Sequence, residues 1–395
     1  MTPDEEPVEG RTRRGGQLLV IGVGLALLLA LPSLYGLFSS DTAAPRRATA
    51  SGPTSSNEPA PVDPGLHGRL VFTSFDSEGS AARRQRLWAF DLRNGDLVEG
   101  PLVPAVEELW ITNGSPQGIV IVADDGGAEG VAYVINGLSP DTEPVEIARG
   151  DVISLATDGR ALIVGRTEPA GGDAPGCEPR TYTLHRVDLD TAEEVLVLRG
   201  REDCGNLVSA TLHRDMAVAS FVDRGRVEVR SIWPTNVSTL FPDLAHVSVS
   251  PSGTFLFVDP VGGLDGLGVW PRRPTGRILV WPQSGRPRPL VNGDHLVSER
   301  VVAWSPDGGY VVVNGFIGDS RGIWLVYVPA GTAELLLPPN SFPRRPAFSG
   351  AAFDDAGDVF AGRPGRIVVR TDTGSFPIAL PPEAPSPIGP IGWLP

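Results

Sequence analysis

The chain of 395 residues contains no lysine; its 33 basic residues are all arginine. Arginine and lysine substitute freely on most exposed surfaces, so this bias points to a GC-rich bacterial genome rather than to a fold. Positive charge is scarce as well, since 47 acids leave a net charge of −14. From His67 onward 40 acids stand against 28 arginines. That balance excludes a nucleic-acid partner and an anionic lipid docking face, both of which need concentrated positive charge. Cysteine is limited to Cys177 and Cys204, with no CxxC motif. The five histidines (67, 185, 213, 246 and 295) have no ligand spacing, so neither a metal nor a cofactor is expected. Amphipathic helices are missing too. Gly 48 and Pro 39 make up roughly a fifth of the chain and interrupt any long helix. A hydrophobic content of 41% is nevertheless enough for a core, which excludes a largely disordered chain.

Charge is absent from Gly15 to Ser40, and within that stretch Gln17 to Phe38 is an apolar run of 22 residues. As a helix it is long enough to cross the ~30 Å hydrocarbon core. Arg11, Arg13 and Arg14 lie at its leading edge, whereas Arg46 and Arg47 follow at a distance; the positive-inside rule places the N-terminus in the cytoplasm and the bulk outside. The rival reading is a cleaved signal peptide with its apolar region at Leu18 to Leu31. Against it, the small triplet Ala48, Thr49, Ala50 sits far downstream and Ala44 is followed by Pro45. No cysteine follows the run for lipid attachment. The expected organisation is a cytoplasmic tail (1–16), a transmembrane helix (17–38), a disordered Ser/Thr/Ala/Pro tether (39–66) and one domain (67–395). The protein is expected to be a single-pass protein of the cell membrane.

Beyond the tether the chain is short-strand material: Arg69 to Phe75, Arg86 to Leu92, Ala161 to Val164, Tyr182 to Val187, Tyr310 to Val313 and Ile323 to Val328 are examples, each rich in Val, Ile, Leu and aromatics and bounded by turn formers. The class is all-β. A repeat runs through it. Trp304-Ser305-Pro306-Asp307-Gly308 before Tyr310 to Val313 matches Val249-Ser250-Pro251-Ser252-Gly253 before Phe255 to Val258. Leu155-Ala156-Thr157-Asp158-Gly159 and Phe353-Asp354-Asp355-Ala356-Gly357 are further copies, with degenerate ones near Gly118 and Met216. In each an apolar strand enters a tight turn, where Asp or Ser closes a side-chain turn and Gly supplies positive φ, and a second strand returns. Turn ends at 118, 159, 216, 253, 308 and 357 are 41, 57, 37, 55 and 49 residues apart, the period of a four-stranded propeller blade.

The Ser-Pro-Asp-Gly turn, the returning strand and Gly322-Ile323-Trp324-Leu325-Val326-Tyr327 resemble the TolB-type, WD-repeat-like β-propeller repeat, as do Arg86 to Leu92 with Asn94-Gly95. The resemblance covers 67–395 and implies a fold, since such propellers host many functions. Ile391-Gly392-Trp393-Leu394-Pro395 mimics the inner strand at Val302 to Pro306, while Arg69 to Phe75 has no inner strand before it. Joining them gives a seven-bladed β-propeller closed by both chain ends, which removes an open sheet edge. A ring of six or eight blades is the alternative.

Blade order places Cys177 and Cys204 on one face, and outside the cytoplasm a Cys177–Cys204 disulfide is the expected pairing, two separate buried thiols being the alternative. The same face carries the long insertions Asp76 to Gln85, Arg166 to Arg180 and Asp259 to Gly276. Long loops on a rigid scaffold are where binding tends to sit. Trp270, Arg272 and Arg273 are the candidate partner site, with Arg344 and Arg345 second, because Trp and Arg dominate interface hot spots; their plain reading is self-packed loops and solvated charge. Asp354, Asp355 and Asp358 read as the repeat's turn rather than as a calcium loop. No Gly-x-Ser-x-Gly elbow occurs, and no catalytic residue is expected.

The resulting expectation is a membrane-tethered extracytoplasmic binding or scaffolding module, not an enzyme, for an envelope protein, peptide or glycan. The alternative is an envelope enzyme acting on carbohydrate or another small substrate. It needs paired carboxylates at the channel mouth, for which Glu107, Glu108, Asp151 and Glu299 are the nominees. The topology is testable with protease added to intact spheroplasts. Residues beyond Ser39 should be digested and residues 1–16 spared; protection of the bulk reverses the orientation.

Overall fold

The computed structural model describes residues 65–395 except 76–83, 113–117, 125–128, 171–178, 203–204, 224–225, 234–235, 260–275, 294–295, 339–349, 364–365, 383, 386 and 388–389. The expected tail, transmembrane helix and nearly all of the tether therefore lie outside the described residues. Among the described residues no helix is long and apolar enough to cross a membrane. They are all-β.

The strands form antiparallel sheets whose members follow one another in the chain. Val106–Ile111, Ile119–Asp124, Gly130–Ile135 and Val145–Gly150 make one four-stranded sheet. The same arrangement recurs from Val152–Leu155 to Glu194–Glu202, from Gly205–His213 to Asn236–Pro242, and from Gly350–Phe353 to Gly374–Ile378. Residues Ala245–Val249 to Thr332–Leu337 form an eight-stranded sheet, joined in its middle only through Gly276↔Ser298 and Arg277↔Val297. The remaining sheet has the pairing expected of the two chain ends: Ile391–Leu394 lies antiparallel beside Arg69–Phe75, with Arg69↔Leu394, Leu70↔Trp393, Val71↔Gly392 and Phe72↔Ile391.

Each sheet is covered on both faces by its neighbours, so its middle strands are apolar on both sides. Val311, Val312 and Val313 are consecutive and all fully buried, which alternation alone would not allow in a sheet with one wet face. The apolar clusters sit between sheets. Met216, Val218 and Val229 pack on Val249, Phe255 and Phe257 of the next sheet, and Val120 and Val122 pack on Leu162 and Val164. One cluster joins the first strands to the last sheet, bringing Leu70, Phe72 and Phe90 against Phe360, Ile367 and Val369. Leu66, at the edge of the expected tether, is buried in that same cluster.

Several outer strands escaped the sequence reading, among them Leu97–Pro104 and Asn236–Pro242. Each is an edge strand, hydrogen-bonded along one side only, where proline and charge are tolerated. The insertions are also shorter than expected. Strand Ala161–Pro169 runs on until Pro169 faces Arg180, and the second strand of the first sheet begins at Arg84. At the turns the glycine is obligatory in one clear case. Gly308 has φ +74°, and a Cβ there would lie 2.4 Å from Ser252 Oγ, so neither backbone nor space admits a side chain.

His246 is a polar residue held inside the apolar packing. Its ring stands edge-on to Phe255 and Phe257, with centroids 6.0 and 6.1 Å away, and it is buried there. Burial drives its pKa down to about 3, against a smaller opposing pull from the Ser248 backbone.

Two measurements follow from this packing. Deleting residues 391–395 removes buried Ile391 and Trp393 and reopens the first sheet; losing two large core side chains costs several kcal/mol, so the melting temperature should fall by about 10 °C or more. A deletion that melts like the parent means the pairing contributes nothing. For His246, the folded imidazole stays neutral down to a pKa of about 3, while the unfolded chain takes up a proton near ~6.5. The unfolded state then binds more protons in that window, and stability is lost as pH falls below ~6.5, by up to ~1.4 kcal/mol per unit. His246→Leu should remove about 2 kcal/mol of the stability difference between about pH 7.5 and pH 5, measured by urea unfolding. Equal pH slopes in parent and variant would refute the assignment.

Candidate functional site

Each four-stranded unit contributes its first strand to the axis of the ring. These inner strands enclose a channel of about 720 Å³ whose walls include Glu108, Trp110, Ser154, Thr211, Ser248 and Trp304. Short polar side chains tie neighbouring walls together. Ser154 Oγ donates to Ala210 O at 2.6 Å, Ser209 Oγ donates to His246 O at 2.7 Å, and Trp304 Nε1 donates to Ser248 Oγ at 2.8 Å. Hydrogen bonds between neighbouring inner strands tie the channel's walls, so a ligand meets preformed walls.

The channel opens at the end where inner strands turn into second strands, and the turn residues Asp158, Pro251, Pro306, Asp354 and Asp355 form its rim. Three of the turns are closed by the same device. Ser250 Oγ accepts from Thr254 N at 2.9 Å, Ser305 Oγ accepts from Tyr310 N at 2.8 Å, and Asp354 Oδ1 accepts from Asp358 N at 2.8 Å. Asp307 adds a second tie, accepting from Ser305 Oγ and from Gly309 N, and those bonds lower its pKa, the Ser305 bond most. Asp354 behaves oppositely. It is 2% exposed, and desolvation raises its carboxyl above the usual range despite the backbone donors of its own turn; the charge of Asp355 pushes the same way.

Beside this pair the fold places His67. Its Nε2 lies 3.0 Å from Asp355 Oδ1, and one donor atom from each of His67, Asp354 and Asp355 falls within 4.8 Å of the others. Ring closure holds the imidazole there. Trp393 Nε1 donates to His67 O at 3.0 Å, and the two rings meet edge-on with centroids 5.6 Å apart. Nothing in the spacing of residues 67 and 354–355 announces this cluster. The only sequence signal was the expected pairing of the chain ends, which carries His67 to the rim.

Trp270, Arg272, Arg273, Arg344, Arg345, Cys177 and Cys204 all lie outside the described residues, so the expected loop site and the Cys177–Cys204 pairing fall there too. Of the nominated acids, Glu108 lines the channel. Asp151 instead accepts from Thr167 N at 2.6 Å, and the Glu299 side chain is outside the described ones. The acids that do gather at the mouth are turn residues, which a reading of the turn as purely structural passes over.

No protein-family model matches the chain, and no curated protein matches its sequence. Solved structures match it in fold. The acylaminoacyl peptidase of Pyrococcus horikoshii aligns with 82% of this chain and 54% of its own, at 10% identity and a TM-score of 0.51. The periplasmic gluconolactonase of Pseudomonas aeruginosa covers 84% and 99% at 15% identity and 0.49. TolB from Acinetobacter baumannii covers 82% of each chain at 12% identity and 0.43. The chain spans about half the length of the acylaminoacyl peptidases it matches. These likenesses correct the expectation of a non-enzyme: acylaminoacyl peptidases are among the matches on this fold, and a ring that gathers side chains from many strands at one mouth gives no ground for setting catalysis aside. At such identities the comparison establishes architecture alone, and that architecture is a β-propeller.

Proposed function

We propose that this chain is a membrane-tethered propeller that holds an envelope peptide, protein segment or glycan in its central channel, outside the cytoplasmic membrane. We read the eight-stranded sheet as two blades, which makes the ring seven-bladed. The tether and orientation rest on the apolar run 17–38 and the arginines before it. A Cys177–Cys204 disulfide fits the same address.

One observation carries the binding reading: a channel of about 720 Å³ walled by strands from every unit. That size suits a small molecule, a few sugar residues or an extended peptide end, and it is too narrow for a folded domain. Trp110 and Trp304 supply apolar surface to the wall, and Ser248, Thr211 and Glu108 supply polar contacts. The Trp270, Arg272, Arg273 loop and the Arg344, Arg345 segment are then secondary contacts for whatever protein or glycan carries the bound end. A second reading, in which the bound ligand is also converted, is favoured by the carboxylates of Glu108, Asp354 and Asp355 sharing that cavity.

Photocrosslinking in the native membrane tests the channel. A crosslinker placed at Ala352, a wall residue, should capture a peptide- or glycan-bearing species. Ala352→Trp, which enlarges a wall residue that also packs on the Leu66–Phe360 cluster, should cut capture about tenfold or more in protein that melts like the parent. Unchanged capture, together with a loss of ~2 kcal/mol or more in Trp270→Ala, moves the site to the opposite loop face.

A further inference from the structure

We propose that His67, Asp354 and Asp355 bind a divalent transition-metal ion of the zinc or manganese kind at the rim of the channel. Their donors are one imidazole nitrogen and two carboxylate oxygens, a set that suits such ions. They come from two chain segments that meet only because the ring closes. Ligand atoms on an ion with bonds of ~2.0–2.2 Å lie about 3.4 Å apart; His67 Nε2 and Asp355 Oδ1 are 3.0 Å apart and the set of three spans at most 4.8 Å. Small side-chain rotations suffice to converge them.

Asp354 is where this turn departs from the Ser-closed copies of the repeat. At the same position of the repeat, Ser250 and Ser305 close the turn with a neutral hydroxyl, accepting one backbone N–H at 2.9 and 2.8 Å. Asp354 performs that task with a carboxylate, whose Oδ1 accepts from Asp358 N and which also takes the Ala356 and Gly357 backbone donors of its turn, and it brings a negative charge into a site 2% exposed. A buried charge is costly unless paired. Among the described residues no arginine pairs with Asp354, and its neighbour Asp355 has the His67 imidazole at 3.0 Å. Two adjacent carboxylates and one imidazole with donors this close form a set that a divalent ion fits.

Around this set the imidazole is already oriented. The Trp393 indole donates to the His67 carbonyl and stands edge-on to its ring, and outer contacts of this kind hold a ligand's direction. The ion would link the segment leading into the first strand to the turn of the last sheet. Asp354 and Asp355 also line the channel, so open coordination positions would face its mouth.

The full chain in detergent, stripped with chelator, is titrated with Zn²⁺ and with Mn²⁺ by calorimetry, while tryptophan emission is followed as a report from Trp393. One ion should bind with a dissociation constant of about 10 µM or tighter, change the emission and raise the melting temperature. Asp354→Ser installs the residue that the turn carries elsewhere in the ring, so the metal-free variant should melt close to the parent. It should nevertheless lose about 50-fold or more in affinity, together with the metal-induced rise in melting temperature. His67→Gln should do the same; if it fails to fold, Asp354→Ser and Asp355→Asn decide. Saturation absent below about 1 mM in the parent, or equal affinity in Asp354→Ser, overturns the proposal.

Discussion

Ring closure is the constraint on which the rest of this molecule depends. Four residues, Ile391–Leu394, pair with the start of Arg69–Phe75, and through that short ladder the first and last sheets acquire a common core of Leu70, Phe72, Phe90, Phe360 and Ile367. Gly350 and Gly362 let the strand come close, since a Cβ at either would fall within 2.3 Å of Pro390–Ile391 atoms. Without the pairing, an inner edge and two apolar sheet faces would be left open to water or to another chain. The His67–Asp355 contact, between residues 288 apart in sequence, exists only as a consequence.

Because every sheet is covered on both faces, little of the blade interior is available for chemistry. Polar groups that enter it are engaged locally, as when Trp324 Nε1 donates to Gly315 O, or they stay uncharged, as His246 does. Chemistry is left to three places: the axis, the turns around it and the loops opposite. The axis is the most ordered of these on physical grounds, because its walls are cross-tied by Ser154, Ser209 and Trp304.

Much of the architecture was legible in the sequence because the signals were local and repeated. The turn Ser305-Pro306-Asp307-Gly308 announces a hairpin by its chemistry, and Tyr310 to Val313 announces a strand buried on both faces by having no polar partner in its alternation. Outer strands such as Leu97–Pro104 were illegible for the reverse reason: half-exposed edges accept Glu99, Gly100 and two prolines and lose the pattern. The site was less legible still. Trp270, Arg272 and Arg273 were nominated by residue type and lie outside the described residues. Asp354 was visible as a turn residue, and its second role depends on His67 arriving from the far end of the sequence.

The turns suggest where to look in repeat folds. A repeat supplies its own control, because the same turn is built several times with the same backbone requirement. Where Ser250 and Ser305 meet that requirement with one hydroxyl, folding asks for nothing more. A copy that meets it with a buried carboxylate, as Asp354 does, accepts a desolvation cost that the turn does not require. The departure from the repeat is therefore more informative than the repeat itself, since selection for folding alone would favour the cheaper residue at every copy. In this ring that departure falls at the rim of the channel, beside the seam where the first and last sheets meet.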